Sequence, residues 1–246
     1  MQHLQVNFMW SVCKKELRQF FSSLTGYIAI VVFLLVNGLV LFVFENNVFD
    51  FGYATLDRFF QLSPWILLLL IPAITMRSFS DEFKSGTYEI LQTRPLTHWQ
   101  VISGKYLGSL IVVVIALLPT FIYIFSIQQL ASSVGIDWGA TIGSYMGLLF
   151  LAAVFTAIGV CASSFTGNAV AAFIISLIAC ALIYYGFNAI SRLPGLTGPD
   201  YYIDMAGIDF HYRSISRGVV DTRDLVYFAS MILFFLFITN RNLLKR

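Results

Sequence analysis

Between Trp138 and Ser191 the chain carries no charged residue. A helix crossing the hydrocarbon core of a bilayer needs about 20 mostly apolar residues, so this stretch is too long for one crossing and long enough for two. The turn-rich hexapeptide Ser163-Ser164-Phe165-Thr166-Gly167-Asn168 is the natural break and predicts helices over 139–162 and 169–190. The same search for charge-free intervals predicts further crossings over 24–44, 59–76 and 106–127, and a shorter one, dense in Leu and Phe, over 225–240. Composition leads to the same class. Of the 246 residues 58% are apolar and 11% charged, against about 25% charged in an ordinary soluble domain. A soluble fold of this size cannot hide so much apolar surface, so part of its solvent is lipid. The expected fold is an all-α membrane protein with six transmembrane helices, forming one domain over 1–246.

Six crossings put both termini on one side. That side receives Lys14, Lys15 and Arg18, then Arg77, Lys84, Arg94 and Lys105 between the second and third crossings, then Arg241, Lys245 and Arg246 at the end. These are ten of the 15 basic residues, and by the positive-inside rule that side is the cytoplasm. The expected location is a cytoplasmic membrane, with both termini on its inner side. Trp10, Trp65, Trp99 and Trp138 fall near the ends of the predicted crossings, where indoles favour the interface. The first crossing is no cleavable signal peptide, because its apolar stretch is long and Glu45-Asn46-Asn47 follows it. A net charge of +2 provides no basic field for nucleic acid. Cys13, Cys161 and Cys180 sit in or beside apolar segments and form no disulfide framework.

Residues 4–23 read as an amphipathic helix lying along the cytoplasmic interface. Val6, Trp10, Cys13, Leu17, Phe20 and Leu24 recur at three- and four-residue steps, while Lys15, Arg18 and Gln19 face away. The plainer alternative is a straight extension of the first crossing. Residues 77–105 are the most informative segment. Gly86 offers a backbone break, Thr87 a cap for a short helix over 88–92, Pro95 a stop, and Thr97-His98-Trp99-Gln100 a capping box. The segment is therefore expected to be a rigid elbow suited to docking another protein, with Phe83, Tyr88, Ile90 and Leu91 as apolar knobs and Glu82 and Glu89 available for basic groups on the partner. Residues 191–224 form the one long loop on the opposite side, and their aromatics suggest packing back onto the membrane mouth. His211 there is expected to be structural. Asp221 and Asp224 supply a cap and early acidic charge to the last helix.

No P-loop, GxSxG, HExxH or paired CxxC sequence occurs, which removes the usual nucleotide, acyl-transfer and metal-hydrolysis signals. No cofactor is indicated. The six predicted crossings contain no Asp, Glu, Lys, Arg or His, whereas ion-driven carriers place such groups at membrane depth. Asn37 and Asn188 are read as interhelical hydrogen-bonding groups. Gly139, Gly143 and Gly147 repeat a GxxxG register, as do Gly104 and Gly108, which predicts close helix packing, with a dimer seam as the alternative. Pro72 and Pro119 mark hinges. Transport, if it occurs, draws its energy from a docked partner.

These residues resemble a known family. Six crossings, a lead-in helix and the run Glu82-Phe83-Lys84-Ser85-Gly86-Thr87-Tyr88-Glu89-Ile90-Leu91-Gln92-Thr93-Arg94-Pro95-Leu96, followed by Gly104-Lys105, look like the ABC-2 type permeases of ATP-binding-cassette exporters. More narrowly, Pro64-Trp65-Ile66-Leu67, the run 71–82 and the run 209–228 look like the gliding-motility-associated permease subunit of Bacteroidota. The resemblance implies a permease that is not itself an enzyme, works with a separate P-loop ATPase, and pairs with a second membrane subunit or a second copy. It implies that the elbow residues Glu82, Phe83, Gly86, Thr87, Glu89, Ile90, Leu91 and Pro95 couple to the ATPase. A non-transporting anchor for an ATPase and a membrane-embedded enzyme are the competing classes.

Overall fold

Apolar runs become helices here because, away from water, only a helix satisfies every backbone N–H and C=O within one segment. The computed structural model describes residues 2–44, 47–48, 55–92, 97–131, 135–192, 200–218 and 221–245, without the side chains of 2–8, Thr25 and 90–92. In chain order the helices are α1 (Gln2–Phe21), α2 (Leu24–Phe42), α3 (Asp57–Thr75), α4 (Arg77–Ser85), α5 (Thr87–Gln92), α6 (His98–Leu117) and α7 (Phe121–Leu130). Then follow α8 (Trp138–Phe165), α9 (Ala169–Ala181), α10 (Phe187–Ser191), α11 (Asp200–Met205), α12 (Ile208–Ser216) and α13 (Thr222–Leu243). Five helical stretches among the described residues are long and apolar enough to cross a membrane, or six if the bent pair α1 and α2 counts as one. The protein is an all-α membrane protein.

The core is built around α8, whose most apolar stretch is 83% buried, against 22% for α13. Small residues let its neighbours approach. A Cβ on Gly159 would lie 2.1 Å from Thr75 Oγ1 of α3 and 3.2 Å from Ser176 Oγ of α9. On the other face, a Cβ on Gly143 would meet Gly218 Cα at 2.8 Å and the Ile215 carbonyl at 2.9 Å, while one on Gly147 would touch Ile215 and Tyr212 at 3.4 Å. The 143/147 face is thus covered by α12 of the same chain, and the dimer-seam alternative loses its surface. Gly143→Ala should destabilise the protein by about 1–3 kcal/mol through overpacking against backbone that cannot yield. Gly139→Ala, whose nearest neighbour is Asp137 Oδ1 at 3.3 Å, should be neutral or slightly stabilising. Thermal unfolding of the two purified variants compares them directly.

Several boundaries differ from the reading of the sequence, each for a local reason. Ser163 and Ser164 lie inside α8, their hydroxyls donating to the carbonyls of Val160 and Cys161, so the turn is confined to residues 166–168 and Asn168 caps α9. Span three is interrupted at Pro119 by a 3₁₀ turn over Leu118–Thr120, and the fifth span carries a π-helical turn over Leu182–Gly186. Trp65 sits mid-helix in α3, stacked on Tyr185 of that π turn with centroids 4.2 Å apart, and so is no end marker. The last helix is longer than 225–240 because Asp221 caps it by accepting from Arg223 N–H at 2.9 Å.

Residues 200–205 and 208–216 are helical where a loop was expected. α12 packs on α8, and Tyr212 Oη donates to the Phe60 carbonyl at 2.7 Å. His211 is not isolated. Its Nδ1 lies 2.6 Å from Asp224 Oδ1 and its Nε2 2.9 Å from the Met205 carbonyl, and its ring stacks on Tyr227. Asp224 is therefore a buried partner of His211 and does not act as a free charge at the start of α13. Asn37 accepts from Ser63 Oγ across α2 and α3, and Asn188 donates to Asp204 Oδ1. Cys13, Cys161 and Cys180 are free and buried.

Candidate functional site

One end of the bundle gathers α1, the elbow α4–α5, the start of α6, the α8–α9 turn and the C-terminal part of α13. Asn242 of α13 donates to the Ser164 carbonyl at 2.7 Å, and Phe79 N–H donates to Ser163 Oγ at 3.4 Å. The chain turns from α1 into α2 at Ser22 and Ser23 with a bend of 73°, so α1 is not a straight extension of the first span. Val12 and Cys13 are buried, Leu17 and Phe20 half-buried, and Lys14, Lys15, Arg18 and Gln19 exposed. Trp10 and Leu24, assigned to the apolar face, are exposed. The buried face of α1 packs on α6 at Gly104 and Gly108, where the helices approach too closely for a Cβ.

The elbow forms for local reasons. α4 ends at Gly86, whose φ of 68° lies in the left-handed region that favours glycine. α6 begins at a capping box: Gln100 N–H donates to Thr97 Oγ1, and Thr97 N–H donates to Gln100 Oε1. Between them, Phe79, Phe83 and Tyr88 form an aromatic trio, with Phe83 stacked on Phe79 at 5.9 Å and Tyr88 edge-on to Phe83 at 5.1 Å. Tyr88 is buried and Phe83 half-buried, so these two residues hold the elbow to the bundle and are not outward knobs. The side chains of Ile90 and Leu91, and the whole of Pro95, lie outside the described residues.

Beneath the trio is an ion cluster that the spacing of residues along the chain did not reveal. α6 starts at His98, so Lys105 lies two turns inside a helix and is fully buried. Its Nζ contacts Glu16 Oε1 of α1 at 2.7 Å and Glu82 Oε1 of α4 at 3.0 Å, donates to the Ser78 carbonyl, and lies over the Phe79 ring. Lys15 of α1 reaches the same Glu82 oxygen at 2.6 Å. Glu82 is thus engaged inside the chain and does not face a partner, which leaves Glu89 as an exposed carboxylate of the elbow. Two cations and two carboxylates offset one another, as buried charge requires. The cluster ties three separate helices together, so the elbow cannot shift without disturbing α1 and α6.

The family model of the ABC-2 family transporter protein matches residues 10–193, well over half of the chain. The chain belongs to the ABC-2 transporter family. No curated protein matches it. The matched segment of this ABC-2 protein takes in all four members of the cluster, the elbow and α8, and stops before α11, α12 and α13.

At the opposite end, an open cleft of ≈ 540 Å³ is lined by Asp57, Gln61, Tyr185, Asp209, Arg213 and Arg217, among others. Arg213 Nη2 lies 2.9 Å from Asp209 Oδ2. Burial pushes the Asp209 carboxyl above its ordinary range, against the pull of that guanidinium. Pro72 lies within α3, where Met76 N–H still donates to its carbonyl.

Proposed function

We propose that this ABC-2 family member is the membrane-spanning permease of an ATP-binding-cassette exporter in a bacterial inner membrane, with both termini cytoplasmic. A separate P-loop ATPase docks on the elbow, and a second membrane subunit or a second copy completes the transporter. The narrower resemblance points to a gliding-motility-associated complex. The observation that carries the reading is the Glu16–Lys105–Glu82 cluster. It joins the elbow to α6 and α1 through buried charge, so a push on α5 reaches the bundle instead of dissipating in a loop. Pro72 and the 3₁₀ turn at Pro119 are where the spans can bend in response.

Docking falls to the exposed tip of the elbow, Thr87 and Glu89, together with the apolar residues Ile90 and Leu91 that follow in the sequence. Leu91→Asp should release the ATPase, since a carboxylate carried into an apolar groove is desolvated and unpaired. Glu89→Gln should weaken binding much less, as an exposed ion pair contributes only about 0–1 kcal/mol. Copurification of the ATPase in detergent, normalised to membrane abundance of the permease, reads both. Full retention by Leu91→Asp would move docking to another surface. ATPase stimulation by a transported lipid or polysaccharide would separate an exporter from a mere anchor.

A further inference from the structure

At the inner corner of the bend between α1 and α2, a cavity of ≈ 100 Å³ opens between α1, α2, the α3–α4 junction and α6. It is bounded by the α3–α4 stretch, where the apolar Ala73 and Ile74 give way to Arg77, and by α1, which meets α2 at a bend of 73°. Such a change from apolar to charged side chains suits the boundary at which a bilayer exchanges acyl chains for headgroups.

The wall is divided in the same sense. Phe20, Ala29, Ile74 and Val112 provide an apolar side, and Arg77, Ser78 and Ser109 a polar one. Arg77 is exposed and makes no ion pair among the described residues. Ser78, a residue of this cavity's lining, is 4% exposed, and its buried hydroxyl has no hydrogen-bond partner among the described residues. A buried hydroxyl without a partner is costly and calls for one. Glu16 also lines the cavity, but its charge is matched by Lys105, so it does not cancel Arg77. An arginine without an ion pair and a serine whose hydroxyl lacks a partner, side by side in the lining of one small cavity, suit a phosphate oxygen once the serine rotamer turns toward it, and the volume admits a phosphodiester, being several times what one water needs. A free phosphate would leave the apolar wall uncovered, whereas a lipid fills both halves.

We propose that this corner is a seat for one anionic phospholipid. Its phosphate is held by Arg77 and the Ser78 hydroxyl, and its first acyl carbons lie against Phe20, Ile74 and Val112. Gly26 keeps the corner tight, since a Cβ there would stand 2.7 Å from the Phe20 carbonyl.

The test is native mass spectrometry of the permease extracted from nanodiscs made of equal parts phosphatidylglycerol and phosphatidylcholine. Wild type should retain one phosphatidylglycerol in preference to phosphatidylcholine. Arg77→Gln should lower that occupancy about tenfold, the effect of one lost charge-assisted hydrogen bond, and Ser78→Ala should lower it severalfold. Arg18→Gln, on the exposed face of α1, should leave it unchanged, and Arg77, being exposed, can be replaced without loss of fold, which monodisperse elution checks. Retention of the two lipids in equal amounts, or occupancy of both the Arg77→Gln and Ser78→Ala proteins within twofold of wild type, would overturn the proposal. Displacement of the lipid by millimolar inorganic phosphate would also overturn it, identifying a free-phosphate site instead.

Discussion

Lys105→Met is expected to destabilise the protein by about 3–5 kcal/mol, the usual consequence of removing one partner from a buried charge cluster. The lost cation leaves the carboxylates of Glu16 and Glu82 in a nearly dry site, and only Lys15, whose side chain is 53% exposed, still reaches Glu82. One oxygen of Glu82 already lacks a partner among the described residues. The loss should be insensitive to added salt, because buried charges are poorly screened. Neutralising the set together, as Glu16→Gln, Glu82→Gln and Lys105→Met, should recover most of the stability, since a buried ionic group replaced whole is often neutral in effect. Thermal unfolding in detergent micelles provides the comparison, with the exposed Lys84→Met as a control expected within about 0.5 kcal/mol of wild type. A Lys105→Met protein that melts with wild type would show that the cluster is not closed as described. If the triple variant regains its melting temperature but loses ATPase coupling, the cluster transmits motion as well as holding the helices together.

What could be read from the residues alone was what depends on near neighbours in the chain. The crossings follow from uninterrupted apolar runs, and the elbow's punctuation follows from the φ that Gly86 adopts and from the Thr97–Gln100 box, whose partners are three residues apart. The cluster escaped because two of its three pairs lie 67 and 89 residues apart and the third, Lys105 with Glu82, joins two different helices, and no periodicity reports such contacts. A trace of it was present all the same. Glu16 stands three residues after Cys13 and four before Phe20, on the apolar stripe of α1, where an acid needs a buried cation. Lys105 stands between two glycines that admit another helix. The helical form of residues 200–205 and 208–216 was hidden for a related reason. In the sequence His211 reads as a structural loop residue and Asp224 as early acidic charge of the last helix, and only the fold brings them to 2.6 Å. The π turn over Leu182–Gly186 leaves no mark in a run of apolar residues, because its extra residue changes the register of the helix and not its composition.

The combined change Gly104→Val and Gly108→Val should lift α1 off the bundle. A Cβ at Gly104 would stand 2.8 Å from Val12 Cβ and 2.9 Å from the Met9 carbonyl. One at Gly108 would stand 2.7 Å from Glu16 Cβ and 3.2 Å from the Cys13 carbonyl. Two of these four contacts are with backbone, which cannot rotate away, so the helices must separate. Overpacking costs about 1–3 kcal/mol at each position. The separation also draws Glu16 and Lys15 from Lys105 and Glu82, so the two changes should not add simply, and the total should exceed that of either alone. Trypsin reports the outcome, because Lys14, Lys15 and Arg18 are exposed on α1 while its helical backbone, docked on α6, resists the protease. Cleavage after these residues should accelerate strongly in the double variant and hardly at all in Gly38→Ala, where the nearest atom to the new Cβ is Tyr123 Oη at an ordinary 3.5 Å. Unchanged cleavage would mean that α1 yields without leaving the bundle, and that the ion cluster, rather than the glycine seam, is what keeps it docked.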